Sequence, residues 1–347
     1  MGKSKTTVLV AGSWGTALAT VLASNNHEVV LWTRSGQQAE EINRTHRNSR
    51  FLKDTVLPDN ITATTSIEEA VRDSRGVLVV SPSHGMREVV RQIRPWLRPD
   101  SLLIHATKGF EADSLKRMST VISEELPEYD HDRIVVLSGP SHAEEVVQKS
   151  PTTVVVAAQC LETAYAAQDL LNNSYFRVYT NPDVSGVEIG GALKNIIALG
   201  AGMSDGLGFG DNAKAALMTR GLAEIARLGA AMGASPLTFA GLAGVGDLIV
   251  TCTSRHSRNW RAGHMLGQGA ALEEVLETMG MVVEGVKTTK AAYALSGKYQ
   301  VEMPITAALY EVLFNGKQAK DAVEDLMGRV PTHEMEEVAQ SGHLRWN

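Results

Sequence analysis

Val10-Ala11-Gly12-Ser13-Trp14-Gly15-Thr16-Ala17 closes a short β-branched run, Thr6 to Val10, and opens an Ala/Leu-rich stretch. A glycine-rich turn between a strand and a helix lets the helix N-terminus approach a pyrophosphate, where backbone N–H groups and the helix dipole favour negative charge. The segment predicts a dinucleotide site on Gly12, Ser13, Trp14 and Gly15. It departs from G-x-G-x-x-G at one place: the first glycine of that pattern falls on Val10, a residue poorly suited to positive φ. Either Ala11 or a modified turn absorbs the difference. The bland alternative is an ordinary strand-to-helix turn.

What surrounds this turn favours the first reading. β-branched runs recur at His27 to Thr33, Gly76 to Val80, Ser101 to Ala106, Arg133 to Leu137, Pro151 to Ala158 and Tyr175 to Tyr179, separated by longer amphipathic stretches. Such alternation predicts βαβ units around a mostly parallel, doubly wound sheet. Val77 to Val80 and Val154 to Ala158 are apolar at successive positions, so both their faces should be buried. The second run ends Leu31-Trp32-Thr33-Arg34. An acid at this point would hold a ribose 2′-hydroxyl, whereas Arg34 suits a 2′-phosphate. This favours NADPH over NADH, the alternative being a solvated surface arginine.

From about Pro182 the strand signal fades. Gly186 to Met203, Ala213 to Met232, Leu272 to Met279, Gly285 to Ser296, Ile305 to Phe314 and Lys320 to Met327 are Ala, Leu, Met and Glu rich with helical spacing. Two domains are expected, 1–181 built on the sheet and 182–347 all-helical, which suits a chain of 347 residues.

Composition excludes several classes of function. The net charge of -6 gives no reason to expect nucleic acid or an anionic membrane. The two cysteines, Cys160 and Cys252, lie far apart and in no metal-ligand spacing, which fits a reducing compartment and no metal site. The N-terminus runs straight into a strand with no signal region, and no long unbroken apolar stretch follows. A cytoplasmic chain without a membrane anchor is the expectation.

Ligands of open α/β sheets bind beyond the C-terminal ends of strands. Two strand ends stand out there. Ala106-Thr107-Lys108-Gly109 carries a lysine able to neutralise a phosphate or orient a carbonyl, although Lys108 alone reads equally as a surface lysine. Ser138-Gly139-Pro140-Ser141-His142-Ala143 offers close hydrogen bonds from Gly139 and Ser141. In the helical half, Lys194 and Asn195 interrupt the apolar helix Gly190 to Ile197. A buried lysine is costly unless paired or partly neutral, a state suited to acid–base work; the alternative is a side chain snorkelling to the surface. Gly244 to Thr251, which includes Asp247, leads to Ser257-Arg258-Asn259-Trp260. Ser257 reads as an N-cap that places Arg258 and Asn259 in a first helical turn, where N–H groups favour phosphate. Arg255 and Arg261 read as a solvated face.

Taken in order, Gly12 to Ala19, Lys108-Gly109, Ser138 to Ser141, Ala192 to Asn195, Asp247-Leu248 and Ser257 to Asn259 resemble the NAD(P)-dependent glycerol-3-phosphate dehydrogenases, especially the bacterial form, over nearly the whole chain. That family usually has glycine where this chain has Val10. The resemblance implies a Rossmann domain followed by an all-α domain like the C-terminal part of 6-phosphogluconate dehydrogenase, and a homodimer. It also implies reversible reduction of dihydroxyacetone phosphate to sn-glycerol 3-phosphate, in support of phospholipid synthesis. It makes Lys194 the catalytic proton donor and acceptor, with Lys108, Asn195, Asp247 and Thr251 around the reacting end of the substrate. Arg258 and Asn259, assisted by Ser257, become the phosphate clamp, and Gly139 and Ser141 substrate contacts. Ser13, Trp14, Arg34, Lys108, Ala143, Arg258, Val282 and Glu284 match positions that contact NADPH or NADH. Two rivals remain. A reductase of another hydroxy or keto acid on the same plan would have no use for Ser257-Arg258-Asn259, and a non-catalytic NADPH-sensing protein would have none for Lys194, Asn195 and Asp247.

Overall fold

The computed structural model describes residues 4–331. Its sheet has eight strands: β1 (Lys5–Leu9), β2 (Glu28–Trp32), β3 (Ile61–Thr64), β4 (Gly76–Val79), β5 (Leu102–His105), β6 (Ile134–Ser138), β7 (Thr152–Ala157) and β8 (Phe176–Asn181). They lie in the order β3-β2-β1-β4-β5-β6-β7-β8. β1 to β6 are mutually parallel, and the order reverses between β1 and β4, which makes the crevice beyond their C-terminal ends the expected ligand position. Seven of these strands coincide with the β-branched runs. β3, Ile61-Thr62-Ala63-Thr64, escapes sequence reading because it is an edge strand of four residues in which only Ile61 and Ala63 are buried.

One edge departs from the parallel expectation. β7 runs antiparallel to β6, and β8 follows β7. The link between β6 and β7 carries only the five-residue helix Ala143–Val147. At about 1.5 Å per residue it is too short to return along the sheet, so the chain turns back instead.

Unbroken apolar runs reflect cores on both sheet faces. Val8, Leu78 and Ile104 pack with Ala17, Leu18 and Val21 of the helix Ser13–Ser24 on one side; Leu9, Val77, Val79 and Leu103 pack with Met86, Val90 and Ile93 on the other. β4 thus divides successive residues between two cores, which forbids the polar alternation of a half-exposed strand.

Asn181 ends the sheet, and Asp183 caps the next helix by accepting from the N–H of Gly186 at 2.8 Å. That central helix, Val184–Gly206, is long and apolar enough to span a bilayer, yet 94 % of its apolar window is buried by the surrounding helices. It is a core helix. The helix Arg258–Gly267 lies close against it: a Cβ added at Gly202 would stand 1.9 Å from the carbonyl oxygen of Trp260. The helix Glu284–Tyr299 packs on the same core through Ala291, Ala292 and Leu295.

Candidate active site

At the glycine-rich turn the strain falls on Val10 itself, which adopts φ 79°; Ala11 does not absorb it. The backbone N–H groups of Val10 and Ala11 both donate to the Trp32 carbonyl, at 3.0 and 3.2 Å, and the Gly12 N–H donates to the Val10 carbonyl at 2.9 Å. The conformation is therefore over-determined by neighbours, as a disfavoured φ must be. Gln38 and Asn48 hold the turn from below: their amide nitrogens donate to the Ala11 carbonyl at 2.7 and 3.0 Å, and Asn48 also reaches Thr16 Oγ1 at 2.8 Å. Neither residue is singled out by sequence, because amides that support a turn from outside the motif carry no local signature.

The cradle fits a dinucleotide. Gly12 precedes the helix without a side-chain cap, and the first turn contains no acid, so its N–H groups are left to a ligand anion. Gly15 is required by space, since a Cβ there would stand 2.2 Å from the Val10 oxygen. Ser13 donates to the Phe51 carbonyl at 3.2 Å, and Trp14 packs half-buried against the first core. Beyond β2, Arg34 pairs with Glu88 at 3.0 Å and lies over the Trp32 ring. Beside it opens a cleft of about 430 Å³ lined by Ser35, Gln38, Arg44 and Arg50 among others. Arg44 and Arg50 are cations that the strand-end rule overlooks, because they come from the following helix and loop.

A buried charge cluster lies where the sheet and the helical part meet. Lys194, on the central helix, is 5 % exposed and does not snorkel. Its ammonium donates to Asp247 Oδ1 and, at 2.7 Å, to Thr251 Oγ1. Asp247 opens the helix Asp247–Thr253, and Thr251 stands one turn later on the same face. Sequence reading leaves this segment unassigned, since Leu242-Ala243-Gly244-Val245-Gly246 resembles a loop. It forms instead a π-helical turn that aims Asp247 inward.

Lys108 shares the carboxylate. Its Nζ lies 2.6 Å from Asp247 Oδ2 and 3.3 Å from the Gly139 carbonyl, so it too is no ordinary surface lysine. Two ammonium groups on one buried carboxylate leave an excess of positive charge. Burial, the largest influence, lowers the Lys194 pKa; Asp247 opposes that and Lys108 adds to it, leaving the amine at about 7. Burial alone would raise the Asp247 carboxyl, but the two lysines outweigh it and hold it below its usual range. His142, to which sequence reading assigns no role, lies within electrostatic reach: burial and then the charge of Lys194 push its imidazole down.

The other candidates form a second set. Asn259 donates to Asn195 Oδ1 at 2.8 Å and accepts from the Gly285 N–H at 2.8 Å, joining three helices. Ser257 caps the helix Arg258–Gly267 by accepting from the Trp260 N–H at 3.2 Å, which leaves Arg258 exposed in the first turn with its guanidinium 3.2 Å from the Val282 carbonyl. Arg255 and Arg261 are exposed, as expected of a solvated face. Glu284 reaches back to the sheet domain, accepting from the N–H and Oγ of Ser83 at 3.3 and 3.1 Å. Ser141 donates to the Gly139 carbonyl at 2.9 Å, and Ala143 opens the short helix beyond it.

Family models describing the N-terminus and C-terminus of NAD-dependent glycerol-3-phosphate dehydrogenase match residues 5–164 and 183–324. The chain is 62 % identical over 335 residues to the glycerol-3-phosphate dehydrogenase [NAD(P)+] of Bacillus anthracis, covering 96 % of this chain and 98 % of that one. The chain belongs to the NAD(P)-dependent glycerol-3-phosphate dehydrogenase family. The family fold agrees: the glycerol-3-phosphate dehydrogenase of Coxiella burnetii superposes with a TM-score of 0.90 at 36 % identity, over 94 % of this chain and 99 % of that one. The Saccharomyces cerevisiae enzyme gives 0.81 at 28 %, over 94 % and 100 %. Family membership makes the chain an NAD(P)-dependent oxidoreductase acting on a small molecule.

Proposed function

We propose that the chain reduces dihydroxyacetone phosphate to sn-glycerol 3-phosphate, reversibly, with Lys194 as the proton donor and acceptor. The observation that carries this is the burial of Lys194 against an Asp247 carboxylate already shared by Lys108: burial first and the Lys108 charge next lower the amine's pKa against the pull of Asp247, to about 7, where it can give and take a proton near neutrality.

A bound nicotinamide dinucleotide supplies the hydride that reduces the substrate carbonyl. The chain's own residues do the rest. Lys194 as ammonium delivers a proton to the alkoxide oxygen as it forms; in the reverse direction the neutral amine removes the hydroxyl proton. Asp247 and Thr251 orient its Nζ, while Lys108 and Asn195 flank the reacting end. Gly139 and Ser141 contact the substrate. Arg258 and Asn259, with Ser257 and the helix N-terminus, take the phosphate, so that binding energy from the non-reacting end orients the carbonyl. Gly12, Ser13, Trp14, Gly15, Arg34, Lys108, Ala143, Arg258, Val282 and Glu284 form the cofactor side, with NADPH preferred through Arg34. We also infer a boundary between residues 181 and 182, a homodimer in the cytoplasm with neither membrane anchor nor nucleic-acid partner, and a place in the supply of glycerol 3-phosphate for phospholipid synthesis.

The test follows the absorbance of NADPH, then NADH, as dihydroxyacetone phosphate is added to the purified protein. Oxidation of either, faster with NADPH, is expected. Silence with both, despite measurable nucleotide binding, would overturn the reading.

A further inference from the structure

Lys108 stands on a loop, residues 106–116, that leaves β5 and returns to the helix Met118–Glu125. The loop folds on itself through a bridge between Phe110 and Arg117 and a 3.0 Å hydrogen bond from the Glu111 N–H to the Lys116 carbonyl. Both of its ends converge on one side chain of the other domain. At the start, His105 Nε2 lies 3.2 Å from Glu188 Oε1. At the finish, Arg117 Nη1 donates to Glu188 Oε2 at 2.5 Å, and Ser119 donates to the same carboxylate from its N–H at 2.7 Å and its Oγ at 2.6 Å.

We propose that Glu188 is a positioning residue for the reaction: it ties both ends of the Lys108 loop to the helix that carries Lys194, and so sets where the two lysines meet on Asp247. The inference rests on the site roles given under the proposed function. Glu188 and Lys194 are six residues apart on one continuous helix, about 9 Å along its axis, so the lattice of donors at Glu188 and the position of Lys194 move as one body. Between them, Gly191 leaves room for the Ser138 hydroxyl, since a Cβ added there would stand 2.8 Å from Ser138 Oγ, and the Lys108 chain passes the same point at contact distance, 3.5 Å from that Cβ to Lys108 Cγ.

Stability alone does not account for this carboxylate. Glu188 is 7 % exposed and His105 is wholly buried. Burial raises the Glu188 carboxyl, but His105, Arg117 and Ser119 reverse that and hold it at about 2, so it is ionised. Buried ion clusters can be replaced by packed apolar residues with little loss of stability, and in some proteins their retained use is to fix one geometry. A carboxylate that accepts from Arg117 and Ser119 on one side of Lys108 and lies 3.2 Å from His105 Nε2 on the other has the form of a locating pin.

The test is a double-mutant cycle on turnover, with Glu188→Gln and Lys108→Met alone and together. Glu188→Gln keeps the shape and the capacity to accept from Ser119 while removing the charge. It is expected to lower kcat by at least about tenfold in the parent, with the NADPH Kd within about twofold, and to change kcat by less than about threefold once Lys108 is Met. The same factor in both backgrounds, or a fall in Tm with kcat unchanged, would overturn the positioning role. Full turnover in Lys108→Met would instead remove the site reading on which it rests. Should Glu188→Gln fail to fold, Ser119→Ala, which removes one donor to the same carboxylate, takes its place in the cycle with the same expected non-additivity.

Discussion

The two ends of the cleft are both held by charged pairs, and they differ in almost everything else. At the proposed reacting end, Lys194 and Asp247 are 5 % and 1 % exposed, and Asp247 also pairs with Lys108. At the proposed adenosine end, Arg34 and Glu88 have side chains 60 % and 58 % exposed; Arg34 lies over the Trp32 ring, and Glu88 also accepts from Gln92 Nε2 at 3.1 Å. Buried charges act in a low dielectric and perturb one another's protonation; exposed ones are screened, and a surface pair is worth about 0–1 kcal/mol. The first end is therefore suited to chemistry and the second to choosing among ligands. The difference predicts a hierarchy of effects.

The largest belongs to Lys194→Ala. Removing the proposed proton donor should lower turnover by about 10²- to 10⁴-fold while leaving the NADPH dissociation constant within about twofold, because the proposed nucleotide cradle lies on the sheet, away from Lys194. Parallel kinetic and fluorescence titrations check this. If affinity for the nucleotide collapses along with turnover, the two ends are not separable and the contrast between them fails.

The next effect is a shift along the pH axis. In the proposed mechanism reduction needs Lys194 as ammonium, so kcat for reduction should fall as pH rises through about 7, while kcat for oxidation should rise through the same range. Asp247 favours the charged amine, so Asp247→Asn takes away its attraction and leaves Lys108 and Lys194 to repel each other. The midpoint should then move to lower pH in both directions of reaction. A profile that keeps its midpoint in Asp247→Asn would assign the ionisation to another group.

How far these features are legible in the sequence also differs between the ends. The sheet domain announces itself because parallel strands buried on both faces demand unbroken apolar runs such as Val77 to Val80, and because Gly12 and Gly15 stand at a strand end. Lys194 is visible as a charge inside an apolar helix. What escapes are contacts between segments distant in the chain: Asn48 beneath the Gly12 turn, Glu188 between His105 and Arg117, and β3, whose four residues hold only two buried side chains. The Leu242–Gly246 turn escapes for another reason. Its glycines are the mark of a loop, and only packing against the central helix, as at Gly190 against the Ala243 oxygen, turns them into a π-helical turn.

Val10 offers a smaller and sharper test, since helix and strand propensities alike rank alanine above glycine. At φ 79° that rank should invert, because a residue with a Cβ keeps a conformational cost of about 1–3 kcal/mol that glycine escapes. Val10→Ala also loses methyl groups that pack against the second sheet core, as does Val10→Gly, so the comparison of the two variants isolates the backbone. Urea denaturation should find Val10→Gly more stable than Val10→Ala by about 1 kcal/mol. The reverse order would mean that the turn relaxes away from positive φ.

The smallest effects should lie at Arg34 and Glu88, and there the sign matters more than the size. Glu88 is a competitor for the guanidinium that a 2′-phosphate would engage. A pair this exposed can be exchanged for about 1 kcal/mol or less, a factor of about five. Glu88→Gln should accordingly raise the preference for NADPH over NADH by up to about fivefold, and Arg34→Ala should lower it by a comparable factor, both read as ratios of kcat/KM with turnover on saturating NADH unchanged. Because neither residue reaches the buried lysines, the two substitutions should leave the pH midpoint of reduction where it is. A shift in that midpoint would show that the adenosine end does more than choose its ligand, which is the point at which the contrast between an exposed selector and a buried proton-transfer site would break.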